Sequence, residues 1–232
     1  MTTKFWLVIP AAGIGARMAV DRPKQYLQIA GHCILEHTLH CFLDHPGLLG
    51  ATVCVAVDDP FWPQLPLASD PRIRRAHGGR ERADSVLAGL ESLLAGGADC
   101  DDWVLVHDAA RPNLAPEDLD RLLESLADDP VGGLLAVPAR DTLKRAGCDG
   151  RVAETIDRSA IWQAYTPQMF RLGALREALA QALEQGVAVT DEASAMEWTG
   201  QSPRLIEGRA DNLKVTRPED LHYLKRIWRE SR

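Results

Sequence analysis

Several features that mark secreted, membrane-spanning or nucleic-acid-binding proteins are missing from this sequence of 232 residues. No apolar run approaches the about 18 residues that a membrane span needs. The first strand pattern begins at Phe5, which leaves no room for a signal peptide. The formal net charge is −7, whereas nucleic-acid-binding domains usually carry a basic surface. We therefore expect a cytoplasmic protein with neither a membrane nor a nucleic acid as partner.

Cysteine is scarce and irregularly placed. The five cysteines are an odd number and form no CxxC pair, so we expect reduced thiols rather than a disulfide framework. Cys33 and Cys41 lie close in sequence to His37, His40 and His45, a combination that could hold zinc. The same segment has the apolar periodicity of a helix packed on a core, which turns His37 and His40 towards the flank or the solvent and disfavours zinc.

Short runs of β-branched residues alternate with longer amphipathic segments. This order predicts an α/β fold, Rossmann-like, with a mostly parallel sheet covered by helices on both faces. At this length one domain, spanning 1–232, can bury a stable core without disulfides. Strands are predicted at about 5–9, 51–57, 73–76, 103–107, 133–137 and 204–207, and helices at about 33–44, 82–94, 116–126, 172–185, 191–198 and 218–229. Thr190 is the predicted N-cap of the helix at 191–198.

The alternation of strands and helices stops between 138 and 168. Two extended segments, 142–146 and 151–156, flank a Gly-Cys-Asp-Gly turn and predict a projecting β-hairpin arm at about 139–160. The arm has little apolar content, and an isolated two-stranded ribbon is marginally stable in water. We therefore expect it to lie against another surface.

The first strand runs into a turn that suggests a phosphate site. The sequence from Pro10 to Gly15 is small and glycine-rich, so backbone N–H groups could approach an anion closely, and Arg17 and Lys24 follow it. The glycines alone leave open a tight turn without a ligand, because the third glycine of the dinucleotide fingerprint and the ending of a P-loop are both missing. The proline-fixed Lys24 favours the phosphate interpretation.

Ligands of open α/β sheets bind outside the carboxyl ends of the strands. Polar residues at these ends should therefore converge; they are Arg17, Lys24, Gly79, Asp108, Arg111, Asp211 and Lys214. The cations could hold phosphates, and the carboxylates of Asp108 and Asp211 could hold Mg²⁺. Two alternatives stay open: Asp108 could cap a turn and pair with Arg111, and Lys214 could be a solvated surface charge.

Eight short motifs carry a more specific signal when they are read together and in order. They are Pro10–Met18, Pro23–Tyr26, Gly78–Val86, Val106–Pro112, Asp141-Thr142, Thr166–Gln168, Thr190-Asp191 and Asp211–Val215. Together they resemble the 2-C-methyl-D-erythritol 4-phosphate cytidylyltransferases of the non-mevalonate isoprenoid pathway. The resemblance extends from residue 5 to beyond residue 220, and its one departure is Glu192, where an aspartate is frequent.

The resemblance implies a reaction of CTP with methylerythritol phosphate, assisted by Mg²⁺, that yields the CDP-alcohol and pyrophosphate. It implies that Arg17 and Lys24 are catalytic, through stabilising the charge that develops on the phosphates. The implied nucleotide-binding residues are Ala11, Ala12, Gly13, Gly15, Gly79, Ser85 and Lys214. The implied contacts to methylerythritol phosphate are Asp108, Arg111, Thr142, Arg158, Thr166 and Thr190, with Asp108 and Asp211 near the metal.

The resembled family also implies a homodimer in which the hairpin arm reaches across a two-fold axis, so that Arg158 serves the partner's site. Three other functions are weighed against this one. A cytidylyltransferase for another polyol phosphate, such as ribitol phosphate, would share the nucleotide motifs. A non-catalytic nucleotide-binding module is disfavoured by the presence of Lys24 and both aspartates. A Rossmann oxidoreductase is disfavoured by the missing third glycine.

Overall fold

The computed structural model describes residues 2–13 and 22–230. Its strands are β1 (Phe5–Pro10), β2 (Gln28–Ile29), β3 (His32–Cys33), β4 (Leu48–Val55), β5 (Ile73–His77), β6 (Trp103–Val106), β7 (Gly132–Pro138), β8 (Leu143–Ala146), β9 (Val152–Ile156), β10 (Trp162–Arg171) and β11 (Arg204–Glu207). Its helices are α1 (Ile34–Leu43), α2 (Arg82–Ala95), α3 (Pro116–Leu126), α4 (Leu172–Glu184), α5 (Glu192–Trp198) and α6 (Pro218–Glu230). Among these residues, no helix has the length and apolar character to cross a membrane.

A seven-stranded sheet forms the centre, in the order β11-β7-β10-β6-β1-β4-β5. Neighbouring strands are parallel except at β10, which is antiparallel to both β6 and β7. Side chains alternate along β1, as the two-residue period of a strand requires. Phe5, Leu7 and Ile9 pack on the side of α1 and α3, whereas Val8 packs on the side of α2, α4 and α5. The predicted fold, a mostly parallel sheet with helices on both faces, is confirmed.

The strand β10 was not predicted. Pro167 lies in its middle, and a proline there argues against a central strand because it cannot donate to the ladder. The pairing of β10 with β7 shifts register between Ala164 and Gln168, so the proline falls in an irregularity rather than in a regular ladder. This irregularity reconciles a proline with a strand that has a neighbour on each side.

Two local features of the helices can be compared with the prediction. The core stripe of α1 is buried as expected, while His40 is exposed and His37 is half-buried. The predicted N-cap of α5 is wrong: Asp191, not Thr190, is the cap, and its side chain accepts a hydrogen bond from the Ser194 backbone N–H at 3.0 Å. Aspartate is also a more favourable N-cap residue than threonine.

The predicted hairpin is present as β8 and β9. Within the described part of the chain, these two strands pair only with each other. Most of their residues are exposed, and Val152 keeps 65% of its surface accessible. The arm therefore adds little to the core, and its role in dimerisation stays a prediction.

Candidate active site

A cleft lies where the strands β1, β5 and β6 end. Eight of the residues proposed from the sequence line it: Ala11, Ala12, Gly13, Lys24, Gly79, Ser85, Asp108 and Lys214. Each comes from a segment that follows a strand of the sheet or, for Lys24, from the 3₁₀ turn Lys24–Tyr26. The structure thus brings residues from five separate segments to one edge of the sheet.

The side chain of Gln25 ties the lysine segment to the first loop. Its Nε2 donates to the carbonyl oxygens of Ala11 at 2.7 Å and Gly13 at 3.2 Å. The neighbouring Lys24 Nζ donates to the Val215 carbonyl at 2.8 Å. Gln25 lines the cleft but was not proposed as a site residue. The proposed residues Gly15 and Arg17 lie outside the described residues.

The second wall of the cleft is built by close backbone approach. A Cβ on Gly78 would come within 2.3 Å of the Ala12 Cβ, and a Cβ on Gly79 within 2.1 Å of the Asp84 Cβ. Ser85 Oγ accepts from the Gly79 N–H at 3.0 Å and donates to the Glu81 carbonyl at 3.1 Å. Glycine is therefore required at positions 78 and 79, and the loop is held rigidly against the first one.

Asp108 is the electrostatic centre of the cleft. Its Oδ1 accepts from Arg82 Nε at 3.0 Å, and its Oδ2 lies 2.8 Å from Lys214 Nζ and 3.4 Å from Arg111 Nε. Burial would raise the pKa of the Asp108 carboxyl, but the charges of Arg82, Lys214 and Arg111 outweigh burial and hold that pKa well below its usual range. Asp108 is therefore ionised, and Lys214 is an ion-pair partner rather than a solvated charge.

Arg111 pairs with Asp108, as one of the open alternatives expected. Its guanidinium also donates to the Asn212 carbonyl at 2.7 Å and lies 4.4 Å from the centre of the Tyr165 ring. Burial lowers the pKa of Arg111 and Asp108 opposes that effect. The side chain is buried and does not line the cleft, so its predicted contact with methylerythritol phosphate stays a prediction.

A buried histidine supports the Asp108 loop from below. His107 Nε2 lies 3.0 Å from the Arg111 carbonyl, which can only accept, so Nε2 carries the proton. Nδ1 of the neutral ring then accepts from the Thr166 hydroxyl at 3.0 Å, and Thr166 Oγ1 accepts from the Asp108 N–H at 3.1 Å. Burial lowers the pKa of His107 to about 4. Thr166, proposed to bind substrate, is thus engaged in holding this loop.

Four other proposed residues are not brought into the lining of this cleft. Thr142 and Arg158 are exposed at the two ends of the hairpin arm, and Thr190 is exposed before α5. Asp211 forms an ion pair with Arg209 at 2.5 Å. The part these residues take in substrate or metal binding stays a prediction.

One arrangement was missed altogether. Arg82, which lines the cleft, places NH1 at 2.5 Å and NH2 at 3.1 Å from the two carboxylate oxygens of Glu192. Arg82 lies in the motif Gly78–Val86, but the sequence predicts no role for it, and Glu192 is the one departure from the family pattern. No local signal connects them, because they are 110 residues apart in sequence.

Asp108 and Asp211 are the candidate metal ligands. The described residues contain no group of three or more His, Cys, Asp or Glu side chains that could hold a metal ion. Mg²⁺ is commonly held by one or two carboxylates together with substrate phosphates and water. Asp108 and Asp211 offer carboxylates of that kind, although each already pairs with cations. The residues fit an ion that receives most of its ligands from a bound phosphate compound.

Comparisons with known proteins agree over nearly the whole chain. The model of the family described as "IspD: 2-C-methyl-D-erythritol 4-phosphate cytidylyltransferase" matches residues 5–230. A 2-C-methyl-D-erythritol 4-phosphate cytidylyltransferase of Ectopseudomonas mendocina (strain ymp) is 77% identical over 230 residues, which cover 99% of this chain and 98% of that protein.

Solved structures give the same picture. The crystal structure of a 4-diphosphocytidyl-2C-methyl-D-erythritol synthase superposes with a TM-score of 0.85 at 40% identity, covering 98% of this chain and 100% of the other. That of the 2-C-methyl-D-erythritol 4-phosphate cytidylyltransferase of Francisella tularensis has a TM-score of 0.84 at 36% identity, covering 97% and 99%. The structural similarity therefore extends over nearly the whole chain.

Proposed function

This chain belongs to the 2-C-methyl-D-erythritol 4-phosphate cytidylyltransferase family, and we propose that it carries out the family's reaction in the cleft described above. It is a CTP-dependent nucleotidyltransferase of isoprenoid precursor biosynthesis. It transfers CMP from CTP to 2-C-methyl-D-erythritol 4-phosphate and releases pyrophosphate.

One observation carries the assignment of this reaction to the cleft. Lys24 and Lys214 line the same cleft as the two glycine-containing loops at Gly13 and Gly79. Two cations beside backbone N–H groups suit a triphosphate, because charge-assisted hydrogen bonds to phosphate oxygens are short and strong. The loop at Gly79 and Ser85 would then lie against the cytidine.

The reaction requires positioning of the two substrates and stabilisation of charge rather than proton transfer. An oxygen of the substrate phosphate attacks the α-phosphorus of CTP in line, a new P–O bond forms, and the bond to the β-phosphate breaks. The nucleophile is already an oxyanion, so no general base is required. Lys24, together with Arg17, would stabilise the charge that builds on the α-phosphate and the leaving pyrophosphate.

Mg²⁺ is part of the proposal. Asp108 lines the cleft, and Asp211 follows the same strand as Lys214. These two carboxylates would hold the ion together with oxygens of the triphosphate. When bound, the ion would neutralise part of the charge on the triphosphate.

The homodimer is proposed on the properties of the arm. The strands β8 and β9 are mostly exposed, and the apolar side chains of Val152 and Ile161 are accessible at and near the arm. A ribbon of this kind gains stability by packing on another surface. A second copy of the chain would cover it and bring Arg158 to the neighbouring site. The cytoplasmic location also stays a prediction.

The direct test is pyrophosphate release from CTP in the presence of Mg²⁺ and a panel of polyol phosphates. Methylerythritol phosphate should be the preferred acceptor, and chelation of divalent ions should abolish the reaction until Mg²⁺ is restored. UTP should be a poorer donor, because a pocket built for the cytosine amino group leaves a buried acceptor unpaired. Preference for ribitol phosphate would support the other cytidylyltransferase, and binding of CTP without turnover would support the non-catalytic module.

A further inference from the structure

Glu192 is a fully buried carboxylate whose partners account for its position. The residue is 0% exposed, and both of its oxygens accept from the Arg82 guanidinium. A buried charge is tolerated when it is paired and hydrogen-bonded. The two parallel contacts also fix the plane of the guanidinium, because Arg presents its donors in a rigid fork.

The third donor of that fork points to the cleft. With both terminal nitrogens held by Glu192, Arg82 directs Nε to Asp108 Oδ1 at 3.0 Å. The opposite oxygen of Asp108 then contacts Lys214 Nζ at 2.8 Å. Glu192, Arg82, Asp108 and Lys214 therefore form a row of alternating charges, which we call the charge row. Its inner end is buried, and the Lys214 side chain at its outer end is 38% exposed.

The sheet and the helix α5 hold the inner end of the row in place. Glu192 is the first residue of α5. Gln168, in β10, donates to the Asp191 carboxylate at 2.9 Å and accepts from the Ala193 N–H at 2.8 Å. Glu192 thus lies between two residues that are anchored to the central sheet, and its carboxylate has a fixed point from which to orient Arg82.

The charge row and Arg111 together carry a net positive charge. Two carboxylates face three cations, Arg82, Arg111 and Lys214, which leaves one net positive charge beside the cleft. If Glu192 were neutral, Arg82 could turn both terminal nitrogens to Asp108 and compete with Lys214 for its carboxylate. The Asp108 carboxylate would then lose the orientation in which the proposed site offers it to the acceptor substrate.

We propose that Glu192 is a positioning residue for the transfer reaction: through Arg82 it orients Asp108, the proposed contact to methylerythritol phosphate. This inference rests on the proposed function, and it assigns a role to a residue that touches neither substrate. The effect of its loss should fall on the acceptor side of the reaction, because Gly79 and Ser85 are held by contacts independent of Glu192.

The test compares Glu192→Gln with Glu197→Gln, the same chemical change at an exposed position of the same helix. In Glu192→Gln, kcat/KM for the acceptor phosphate should fall about ten- to a hundredfold, which is less than the loss expected when a direct contact is removed. The KM for CTP should change by less than about twofold. Glu197→Gln should match the wild type. Glu192→Asp, which keeps the charge, should recover part of the lost activity.

Other outcomes would overturn the inference. Equal activity of Glu192→Gln and the wild type, equal losses for CTP and acceptor, or no recovery in Glu192→Asp each contradict a positioning role. If Glu192→Gln does not fold, Arg82→Lys is used, since lysine keeps the charge but cannot bridge both carboxylates; it should show the same selective loss for the acceptor. A wild-type chain that releases no pyrophosphate would instead refute the proposed function.

Discussion

The cleft and the hairpin arm both carry many charged side chains, but they use them differently. In the cleft, Asp108 is buried and shared by three cations at fixed distances. On the arm, Arg145 pairs with Glu154, and Arg151 with Asp149, while all four side chains remain more than half exposed. Exposed pairs of this kind contribute about 0–1 kcal/mol. Ion pairs therefore fix side-chain positions in the buried cleft, where few other arrangements are possible. On the exposed arm, the charged side chains mainly interact with solvent.

This difference has a functional meaning. The groups of the cleft hold one another in place within one chain, which suits a site that must position a triphosphate before reaction. The charged pairs of the arm join residues of the arm itself and stay exposed, so another molecule can reach them. Four measurements test whether the cleft and the arm differ in this way.

The largest effect is expected in the cleft. Lys24→Ala should lower kcat about 10²- to 10³-fold and change KM for CTP much less, because Lys24 is proposed to act on charge that develops in the transition state. Steady-state kinetics with CTP varied provides the measurement. Lys4→Ala serves as the control, because it removes an exposed lysine whose Nζ donates to the Pro46 carbonyl at 3.0 Å. A variant that merely bound CTP more weakly would contradict the role of Lys24.

The second effect concerns pH and the support beneath the cleft. His107 is neutral when folded, with a pKa of about 4, and titrates near 6.5 when unfolded. Between these values the unfolded state binds more protons, so the free energy of unfolding should fall as pH is lowered, by about 3 kcal/mol in total from this group. Denaturant unfolding at pH 7 and pH 4.5 measures the effect.

Other groups also titrate in acid, so the variant His107→Gln isolates the contribution of His107. The amide can donate to the Arg111 carbonyl and accept from Thr166, and it has no charge to gain. Its stability should therefore depend less on pH than that of the wild type. His222→Gln makes the same chemical change at an exposed position on α6 and serves as the control. Parallel pH profiles for the wild type and His107→Gln would refute the assignment.

The third measurement asks whether the arm completes a neighbouring site. Arg158→Ala and Lys24→Ala chains, each of low activity, are unfolded together in equal amounts and refolded. Half of the dimers are then mixed, and one of the two sites in each mixed dimer carries neither change, so about a quarter of wild-type activity should return. Each mutant refolded alone is the control. No recovery would mean that both residues serve the site of their own chain.

The smallest effect is expected for the exposed charges of the arm. Arg145→Ala, Glu154→Ala and the double variant should each change the free energy of unfolding by less than about 1 kcal/mol, with a coupling energy near zero, because the pair is exposed to solvent. Denaturant unfolding of the four proteins gives the coupling. A coupling as large as that of a buried pair would contradict the prediction and show that this pair lies on the covered side of the arm.

Much of the site could be predicted because its motifs are local. The run Pro23–Tyr26, the pair Gly78 and Gly79, and Asp108 with Arg111 each lie within a few residues of the end of a strand or in one short turn. The rule that ligands bind at the carboxyl ends of parallel strands then brings these segments together. Local motifs did not predict the hydrogen bonds of Gln25 or the exchange of the α5 cap from Thr190 to Asp191, which depend on the final backbone geometry.

The periodicity of strands and helices, the glycines at the strand ends and the order of the family motifs can all be read from the sequence alone. Two features become visible only in the folded chain: β10 is antiparallel to its neighbours β6 and β7, and Arg82 joins Asp108 to the buried Glu192. The physical reason is the range of the interactions involved. Periodicity and turn chemistry act over a few neighbouring residues, whereas the pairing of buried charges depends on which distant segments the packed core places within hydrogen-bonding distance.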